Sequence, residues 1–213
     1  METPLIVIDG LDGCGKTTQL RLLVERAESD GKTCVFTREP GGAPLSEALR
    51  ELFKSDMGAK ASALTQFLMM WASRRNYLEQ VVLPALEDNI SVFSDRGDSS
   101  TLAYQIYGKN APELESEFWR LRKLVLGEHF PILYIFLDVS PEEARSRATS
   151  SDSTRGEASH FDVAPLEFYE RVYKGFREFG NHSSVKMVSV DGTQSRYAIS
   201  EEVYRIVSDA CGW

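Results

Sequence analysis

The sequence predicts a three-layer α/β protein in which a five-stranded parallel sheet is covered by helices on both faces. The first observation is that short, β-rich apolar runs alternate with longer stretches of helical period along the 213 residues. The second is that these runs are apolar almost throughout, which is typical of strands buried on both faces. With 42% hydrophobic residues the chain can bury a sizeable core, so we expect one domain over residues 1–213.

Each predicted element follows from one of these runs or periods. The strands are predicted at residues 5–9, 33–38, 90–95, 132–138 and 185–191. The helices are predicted at residues 16–29, 63–86, 113–128, 165–179 and 195–209. Parallel strands joined by right-handed crossovers bind ligands at their carboxyl ends. Four polar residues stand at such ends: Asp9, Arg38, Asp95 and Asp138.

Composition and charge limit the classes of function. The formal net charge of −8 argues against binding a nucleic acid polymer, which usually needs a basic face. We expect no signal peptide and no membrane segment, because no leader-like stretch or long apolar run is present. The three cysteines fit neither a disulfide framework nor a metal motif, which favours a reduced, cytoplasmic setting.

A phosphate-binding motif, GLDGCGKT, spans Gly10 to Thr17 and lies between a predicted strand and a predicted helix. Its glycines let backbone N–H groups converge on a phosphate, and the helix N-terminus adds positive charge. Lys16 supplies a charge for the β and γ oxygens, and the Thr17 hydroxyl can bind Mg²⁺. The residues predicted to bind ATP here are Gly10, Gly13, Cys14, Gly15, Lys16, Thr17 and Thr18.

Cys14 lies inside this loop and is interpreted as a tolerated small residue, because the loop contributes backbone at that position. A side hypothesis follows from its place near a helix N-terminus, which can lower the pKa of a thiol. On that hypothesis, oxidation of Cys14 would inactivate the protein.

The loop alone does not separate kinases from other nucleotide-binding proteins. GTPases carry an Asn-Lys-x-Asp motif and partitioning ATPases an additional loop lysine, and the sequence has neither. The third predicted strand ends in Asp95-Arg96. Asp95 is predicted to orient Mg²⁺ and Arg96 to bind a phosphate as a planar fork. The alternative is a structural Asp–Arg pair that caps a helix.

Several separated arginines lie near the predicted strand ends. They suit a site that neutralises donor and acceptor phosphates, because phosphoryl transfer depends on positioning and charge. An ATPase switch or partner module stays an alternative; it needs Lys16 and Thr17 but gives the arginines no role. The arginines are Arg38, Arg50, Arg74, Arg96, Arg145, Arg147 and Arg155.

A polar segment, ATSSDSTRGEAS, covers residues 148–159 and breaks the pattern of strands and helices. Composition alone favours a surface loop. In a phosphotransferase the same segment is where a mobile lid would lie, and we place that lid at about residues 146–162.

Together these motifs resemble those of the thymidylate kinase family. The resemblance rests on GLDGCGKTTQ, TREPGG, a helix with Arg74, DRxxxSTxAYQ and VDGTQ, and it extends from residue 5 to about 207. It implies a P-loop kinase fold, transfer of the γ-phosphoryl group from ATP to dTMP with Mg²⁺, a place in dTTP synthesis, and a homodimer.

The resemblance also implies roles for individual residues. Asp12 matches a loop carboxylate that organises the acceptor and the catalytic groups. Arg96 matches the arginine on the acceptor phosphate, with Glu39 and Arg50 around the same site. Arg74 matches the arginine that reads the thymine edge. The other residues predicted to bind acceptor or adenine are Arg38, Met70, Ser100, Thr101, Tyr104, Gln105 and Gln194.

Gly13 follows Asp12, so the chain resembles the branch of the family whose catalytic arginine lies in the lid. Arg147 and Arg155 are the candidates, and Arg155 has a second interpretation as a solvated loop charge. Met70 stands where the family generally has a phenylalanine that stacks on the base, and Gly97 replaces an aromatic residue. A modified deoxypyrimidine monophosphate, or several deoxynucleoside monophosphates, therefore stay as alternative acceptors.

Overall fold

All five strands run parallel in one sheet. The computed structural model describes residues 4–149, 161 and 164–213. The strands lie in the order β2-β3-β1-β4-β5. Their bounds are β1 Leu5–Asp9, β2 Cys34–Arg38, β3 Ser91–Asp95, β4 Leu133–Asp138 and β5 Met187–Asp191. The five predicted strands are confirmed, because each predicted run agrees with an observed strand to within two residues at either end.

The helices pack around this sheet. Their bounds are α1 Lys16–Ser29, α2 Pro44–Lys54, α3 Asp56–Ala59, α4 Ala63–Tyr77, α5 Leu83–Glu87, α6 Asp98–Thr101, α7 Glu115–Leu126, α8 Pro141–Thr149, α9 Leu166–Asn181 and α10 Arg196–Cys211. A first π-helical segment, Leu78–Val82, joins α4 to α5. A second π-helical segment, Leu102–Gly108, continues α6, and a 3₁₀ turn at Pro112–Leu114 precedes α7.

Local residues explain where several helices begin and end. Ser62 and Ser195 precede α4 and α10, and each side chain accepts a hydrogen bond from a backbone N–H of the first turn. This is the N-cap arrangement that serine favours. Gly212 adopts the left-handed conformation that ends α10.

Alternate residues of β1 belong to different cores, which is how the sheet is covered on both faces. Ile6 and Ile8 lie in one buried cluster with residues of α1 and α10. Leu5 and Val7 lie in the other with residues of α4 and α7. The side chains of successive strand residues point to opposite faces, so both faces of β1 are packed against helices. The predicted three-layer fold is confirmed.

The carboxyl ends of the strands meet at one edge of the sheet. Asp95 of β3 pairs with Ile8 of β1 and with Arg38 of β2, and Asp138 of β4 pairs with Asp191 of β5. The polar residues predicted at strand ends therefore share one edge, and the loops that follow them can form one site.

The helical prediction was coarser than the strand prediction. The helix predicted at 63–86 is α4, the first π-helical segment and α5 in succession. Of the predicted lid, residues 146–149 form the end of α8, whereas 150–160 and 162–163 lie outside the described residues. Within the described ranges, no helix has both the length and the apolar composition that a membrane span requires.

Candidate active site

One cavity of about 1010 Å³ opens at the carboxyl edge of the sheet. Its walls come from the phosphate loop, from the ends of β2 and β3, and from α2, α4, α6 and the second π-helical segment. All the predicted site residues line this cavity except Gly10 and Arg155. Gly10 lies at the base of the phosphate loop, and Arg155 lies outside the described residues.

The phosphate loop needs glycine at two positions in particular. Gly10 and Gly13 have φ angles of 148° and 97°, which residues with a side chain rarely adopt. A Cβ atom on Gly13 would lie 2.0 Å from the carbonyl oxygen of Ala144 in α8. The loop therefore packs directly on α8. Its backbone continues into α1, and the loop residues line the cavity, where N–H groups at a helix start can bind a phosphate.

Lys16 is buried in the loop that it follows. Its Nζ donates to the carbonyl oxygens of Gly10 at 3.0 Å and Leu11 at 2.7 Å. The positive charge is thus held against the backbone of the loop, at the wall of the cavity where a bound phosphate would lie.

Cys14 is 2% exposed, and burial raises the pKa of its thiol. The lowered thiol pKa on which the oxidation hypothesis depends is therefore contradicted. The apolar surroundings, which disfavour the thiolate, outweigh the neighbouring positive charges. Its interpretation as a small packing residue is consistent with this burial.

Thr17 and Asp95 form an oxygen-rich pair at the junction of the loop and β3. The Thr17 hydroxyl donates to Asp95 Oδ2 at 2.8 Å. A hydroxyl and a carboxylate oxygen are the ligand types that Mg²⁺ prefers, and Mg²⁺ usually takes few protein ligands beside waters and phosphates. The pair fits a magnesium ion that is held mainly by a nucleotide.

Arg96 is the centre of the acceptor side. Its Nη1 donates to Ser100 Oγ at 2.8 Å, and its Nη2 donates to the Asp12 carboxylate. Tyr104 donates its hydroxyl to the other Asp12 oxygen at 2.9 Å. Arg96, Asp12 and Tyr104 thus join the phosphate loop to the second π-helical segment, so that donor and acceptor sides are held together.

Asp9, which the sequence analysis noted at a strand end but did not assign to the site, supports the phosphate loop from below the cavity wall. It is fully buried and accepts hydrogen bonds from Gly10 N at 2.9 Å, Ser99 Oγ at 2.6 Å and Ser100 Oγ at 2.8 Å. Burial raises the pKa of Asp9, although neighbouring cations oppose this. Its side chain fixes the start of the loop against the turn that follows Arg96.

Two further arginines lie where β2 leads into α2. The Arg38 side chain is half-exposed, and its Nη2 lies 3.0 Å from both carboxylate oxygens of Glu47. Arg50 donates to the carbonyl oxygen of Pro40 at 2.9 Å. Burial, with a smaller effect from the Arg38 charge, lowers the pKa of Arg50. Both guanidinium groups line the cavity.

Glu39 was predicted beside the acceptor phosphate, but its side chain contacts Arg74. Glu39 Oε2 lies 2.8 Å from Arg74 Nε, and both side chains are buried. Arg74 Nη2 donates to Thr101 Oγ1 at 3.0 Å. Resemblance alone did not indicate this pairing, since Glu39 and Arg74 are 35 residues apart in the sequence. Glu39 directly follows β2 and Arg74 lies in α4, so their contact depends on tertiary packing.

Met70 forms part of the same wall, together with two aromatic residues that sequence reasoning missed. Phe53 of α2 and Phe161 both line the cavity, with ring centroids 5.8 Å apart. Phe161 also contacts the ring of Tyr104 at 5.3 Å. Phe53 lies one helical turn after Arg50, and this spacing is the signal that could have found it.

Arg147 and Gln194 lie on the opposite wall. Arg147 Nη1 donates to the carbonyl oxygen of Gly192 at 3.1 Å, and its Nη2 pairs with Glu143 of α8. Gln194 is exposed and follows β5 in the same loop. This wall adjoins the phosphate loop through the contact of Gly13 with α8.

Known proteins resemble this chain over nearly its whole length. The family model described as thymidylate kinase matches residues 8–203. A thymidylate kinase from Caulobacter vibrioides is 35% identical over 207 residues, 97% of each chain. Another, from a Synechococcus species, is 37% identical over 95% of this chain and 94% of the relative. The crystal structure of thymidylate kinase from Ehrlichia chaffeensis aligns with a TM-score of 0.75 and 28% identity, covering 98% of this chain and 99% of the other. The chain belongs to the thymidylate kinase family.

Proposed function

We propose that the chain transfers the γ-phosphoryl group of ATP to dTMP, giving ADP and dTDP, a step of dTTP synthesis. The observation that carries this function is the single cavity that joins the phosphate loop to the arginine-rich acceptor side. Phosphoryl transfer needs the attacking oxygen, the phosphorus and the leaving oxygen in line. A continuous cavity allows the two nucleotides to approach each other in that way.

On the donor side, the phosphate loop binds the phosphates of ATP through its backbone N–H groups and Lys16. Lys16 exchanges its two carbonyl contacts for the β and γ oxygens. Thr17 and Asp95 would hold Mg²⁺, which neutralises charge on the phosphates. Gln194 lies on the exposed loop after β5 and lines the adenine.

On the acceptor side, Arg96 binds the phosphate of dTMP, with Arg38 and Arg50 adding positive charge nearby. Guanidinium groups can each bind a phosphate through two parallel hydrogen bonds, so these three arginines can hold the phosphate in a fixed orientation. Asp12 and Tyr104 orient Arg96 through their own hydrogen bonds to it and to each other. Tyr104 then faces the sugar.

The base is read by Arg74, Thr101 and Gln105, with Met70 as an apolar wall. Arg74 is 3% exposed, and among the described residues its Nη1 has no hydrogen-bond partner. A buried donor without a partner is costly, so a ligand carbonyl that satisfies it is favoured. The thymine ring offers such a carbonyl.

An arginine near the predicted lid would stabilise the transition state of the transfer. Arg147 lies near the end of α8, on the wall next to the phosphate loop; Arg155, the second candidate, lies outside the described residues. A guanidinium group that reaches the transferring phosphoryl group stabilises the charge that develops there.

The assembly is proposed to be a cytoplasmic homodimer formed through an apolar patch on α2, α3 and α4. The three helices pack together, since α2 contacts both others. Large apolar side chains on the outer surface of a protein often mark such an interface. The apolar patch is formed by Leu45, Leu52, Met57, Leu64 and Leu68, which are 40–70% exposed.

An acceptor panel tests the function. The protein is incubated with ATP·Mg²⁺ and, in turn, with dTMP, dUMP, dCMP and dGMP, and ADP formation is measured. We expect ADP production to be stimulated by dTMP far above the other acceptors. Production of ADP that no monophosphate stimulates would instead indicate an ATPase.

Two substitutions sharpen this test. Lys16→Ala and Arg96→Ala each remove a charge that contacts a phosphate in the transition state, so each should lower kcat/KM by about a hundredfold or more. Arg120→Ala is the matched control, because Arg120 is exposed, lies outside the cavity and pairs with Glu117 one turn away on α7. Its kinetic constants should stay at the wild-type values.

A further inference from the structure

A buried ionic cluster lies behind the acceptor side, formed by Asp98, Arg122 and Tyr134. Asp98 is the first residue of α6, Arg122 lies in α7, and Tyr134 lies in β4. The three side chains are 1%, 4% and 0% exposed. Neither Arg122 nor Tyr134 lines the cavity, so the cluster is separate from the groups that contact substrate.

Both oxygens of the Asp98 carboxylate are occupied. Arg122 Nε donates to Oδ2 at 2.5 Å, and the Tyr134 hydroxyl donates to Oδ1 at 2.5 Å. Arg122 Nη2 also donates to the Tyr134 hydroxyl oxygen at 3.2 Å. Burial and the Asp98 charge raise the pKa of Tyr134 well above its usual range, so its hydroxyl keeps its proton and can donate it.

The guanidinium group of Arg122 has a fixed place. It lies 4.6 Å from the ring centroid of Phe130 and 5.7 Å from those of Trp119 and Phe179. Its Nη1 donates to Ser184 Oγ at 3.4 Å. Cation–π contacts on several sides and a partner for each nitrogen hold the group rigidly.

The cluster is connected to the acceptor side through α6, which is a single turn of four residues. Ser99 and Ser100 donate to Asp9 at 2.6 and 2.8 Å. Thr101 accepts from Arg74 at 3.0 Å. Each side chain of the turn is therefore held by contacts of its own. Asp98 is held by Arg122 and Tyr134, on the side away from the cavity.

Arg96, two residues before Asp98, adopts a backbone conformation that needs support. Its φ angle is 73°, in the left-handed region that residues other than glycine rarely adopt. Such a conformation persists where the surrounding contacts fix the chain on both sides. On the N-terminal side, Arg96 N donates to Ile8 O at 3.0 Å; on the C-terminal side, the chain is fixed at Asp98.

We propose that Arg122 and Tyr134 are positioning residues for the acceptor site, which act by holding Asp98 so that Arg96 and the α6 turn keep the geometry that binds the acceptor phosphate and base. This inference rests on the proposed function. A buried ion pair is no more stabilising than well-packed apolar residues of similar volume, so stability alone gives no reason for the cluster.

Tyr134→Phe, Arg122→Met and Arg122→Lys test the proposal, with KM for dTMP, KM for ATP and kcat measured separately. We expect Tyr134→Phe and Arg122→Met to lower kcat/KM for dTMP by about tenfold, the loss typical of a hydrogen bond to a charged group. KM for ATP should stay near the wild-type value, because the phosphate loop keeps its own contacts. Arg122→Lys should retain more activity than Arg122→Met, since it keeps a charge for Asp98.

Two control variants separate positioning from a general loss of stability. Tyr204→Phe also removes a hydroxyl that donates to an aspartate, here Asp30, but it lies between α1 and α10. Val207→Ala leaves a cavity in the core beneath α10, the helix that also carries Tyr204. Val207→Ala should lower the Tm, and both variants should leave KM for dTMP unchanged.

Unchanged kinetics in Tyr134→Phe would overturn the proposal. It would also be overturned if Val207→Ala raised KM for dTMP as much as Tyr134→Phe does, at the same loss of Tm. The conservative Tyr134→Phe carries the test if Arg122→Met does not fold. A wild-type protein without dTMP-stimulated activity would refute the proposed function itself. An active wild-type protein with unaffected variants would refute only the positioning role.

Discussion

Arg74 uses each nitrogen of its guanidinium group differently. Nε lies 2.8 Å from Glu39 as an ion pair without hydrogen-bond geometry, Nη2 donates to Thr101, and Nη1 has no hydrogen-bond partner among the described residues. The first two contacts fix the plane of the group, so the third nitrogen has a defined direction. The family motif could predict that Arg74 binds the base. It could not predict Glu39 as its partner, because that contact depends on tertiary packing.

Met70→Phe is expected to retain or improve the use of dTMP. An aromatic ring on this wall of the cavity would stack on a base, whereas the thioether of Met70 offers contact with less definition of shape. KM and kcat measured for each acceptor of the panel check this. Leu124→Phe is the matched control, since Leu124 is 67% exposed on α7 and lies outside both the cavity and the apolar patch. Kinetics unchanged for every acceptor would mean that Met70 does not contact the base.

The second prediction at this scale concerns Glu39 and pH. Burial raises its pKa from 4.5 to about 7, although the neighbouring charge of Arg74 opposes this. The folded protein then binds this proton more tightly than the unfolded chain. The contribution of Glu39 to stability is fully present below pH 4.5 and is lost as the pH rises through about 7.

Glu39→Gln should therefore have a free energy of unfolding that depends less on pH over this range. The free energy of unfolding of the wild type, relative to that of the variant, should fall by on the order of 1–3 kcal/mol between pH 5 and pH 8. Urea unfolding at a series of pH values measures it. Parallel curves for the two proteins would contradict the raised pKa.

At the scale of elements, the second π-helical segment depends on close packing with α9. A Cβ atom on Gly175 of α9 would lie 2.7 Å from the Cα of Ala103. The same segment carries Tyr104 and Gln105 to the cavity. A larger side chain at Gly175 must therefore displace the second π-helical segment, because the Cα of Ala103 cannot rotate away as a side-chain atom can.

Gly175→Ala is expected to lower stability by about 1–3 kcal/mol and to raise KM for dTMP, with KM for ATP unchanged. Thermal unfolding and steady-state kinetics check both effects. Gly180→Ala is the matched control in the same helix, since its Cβ would meet only the flexible end of the Met187 side chain. A similar KM for dTMP in both alanine variants would exclude displacement of the π-helical segment.

Periodicity predicts the strands and the long helices well, but it does not predict the elements that shape the acceptor site. The strands were found because buried parallel strands are short, continuous apolar runs. The π-helical segments at 78–82 and 102–108 follow no period that the sequence analysis used. Most of the predicted site residues do line the cavity, but the residues that orient them, such as Asp9, come from packing that no motif describes.

At the scale of the whole molecule, Leu68→Glu should weaken the proposed homodimer. Leu68 is 50% exposed at the centre of α4, one turn from Leu64, and belongs to the apolar patch. A charge buried in an apolar interface without a partner is strongly unfavourable. Sedimentation velocity over a range of protein concentrations should give a monomer for the variant and a dimer for the wild type.

Leu124→Glu is the control for this experiment. Leu124 is 67% exposed on α7, outside the apolar patch, and its replacement should leave the dimer intact. Equal sedimentation of wild type and Leu68→Glu would show that the patch is not the interface. Dissociation in both variants would point to a different face of the molecule.

Asp9 gives the molecule one further property. Its carboxylate receives Gly10 N from the donor loop and Ser100 Oγ from the acceptor turn, so the two halves of the site share a single acceptor group. Effects of substitutions in groups that share a partner are not additive. Replacing Asp9 should therefore disturb both halves of the site at once, and its effect should not add to that of replacing Ser100, which loses the same hydrogen bond.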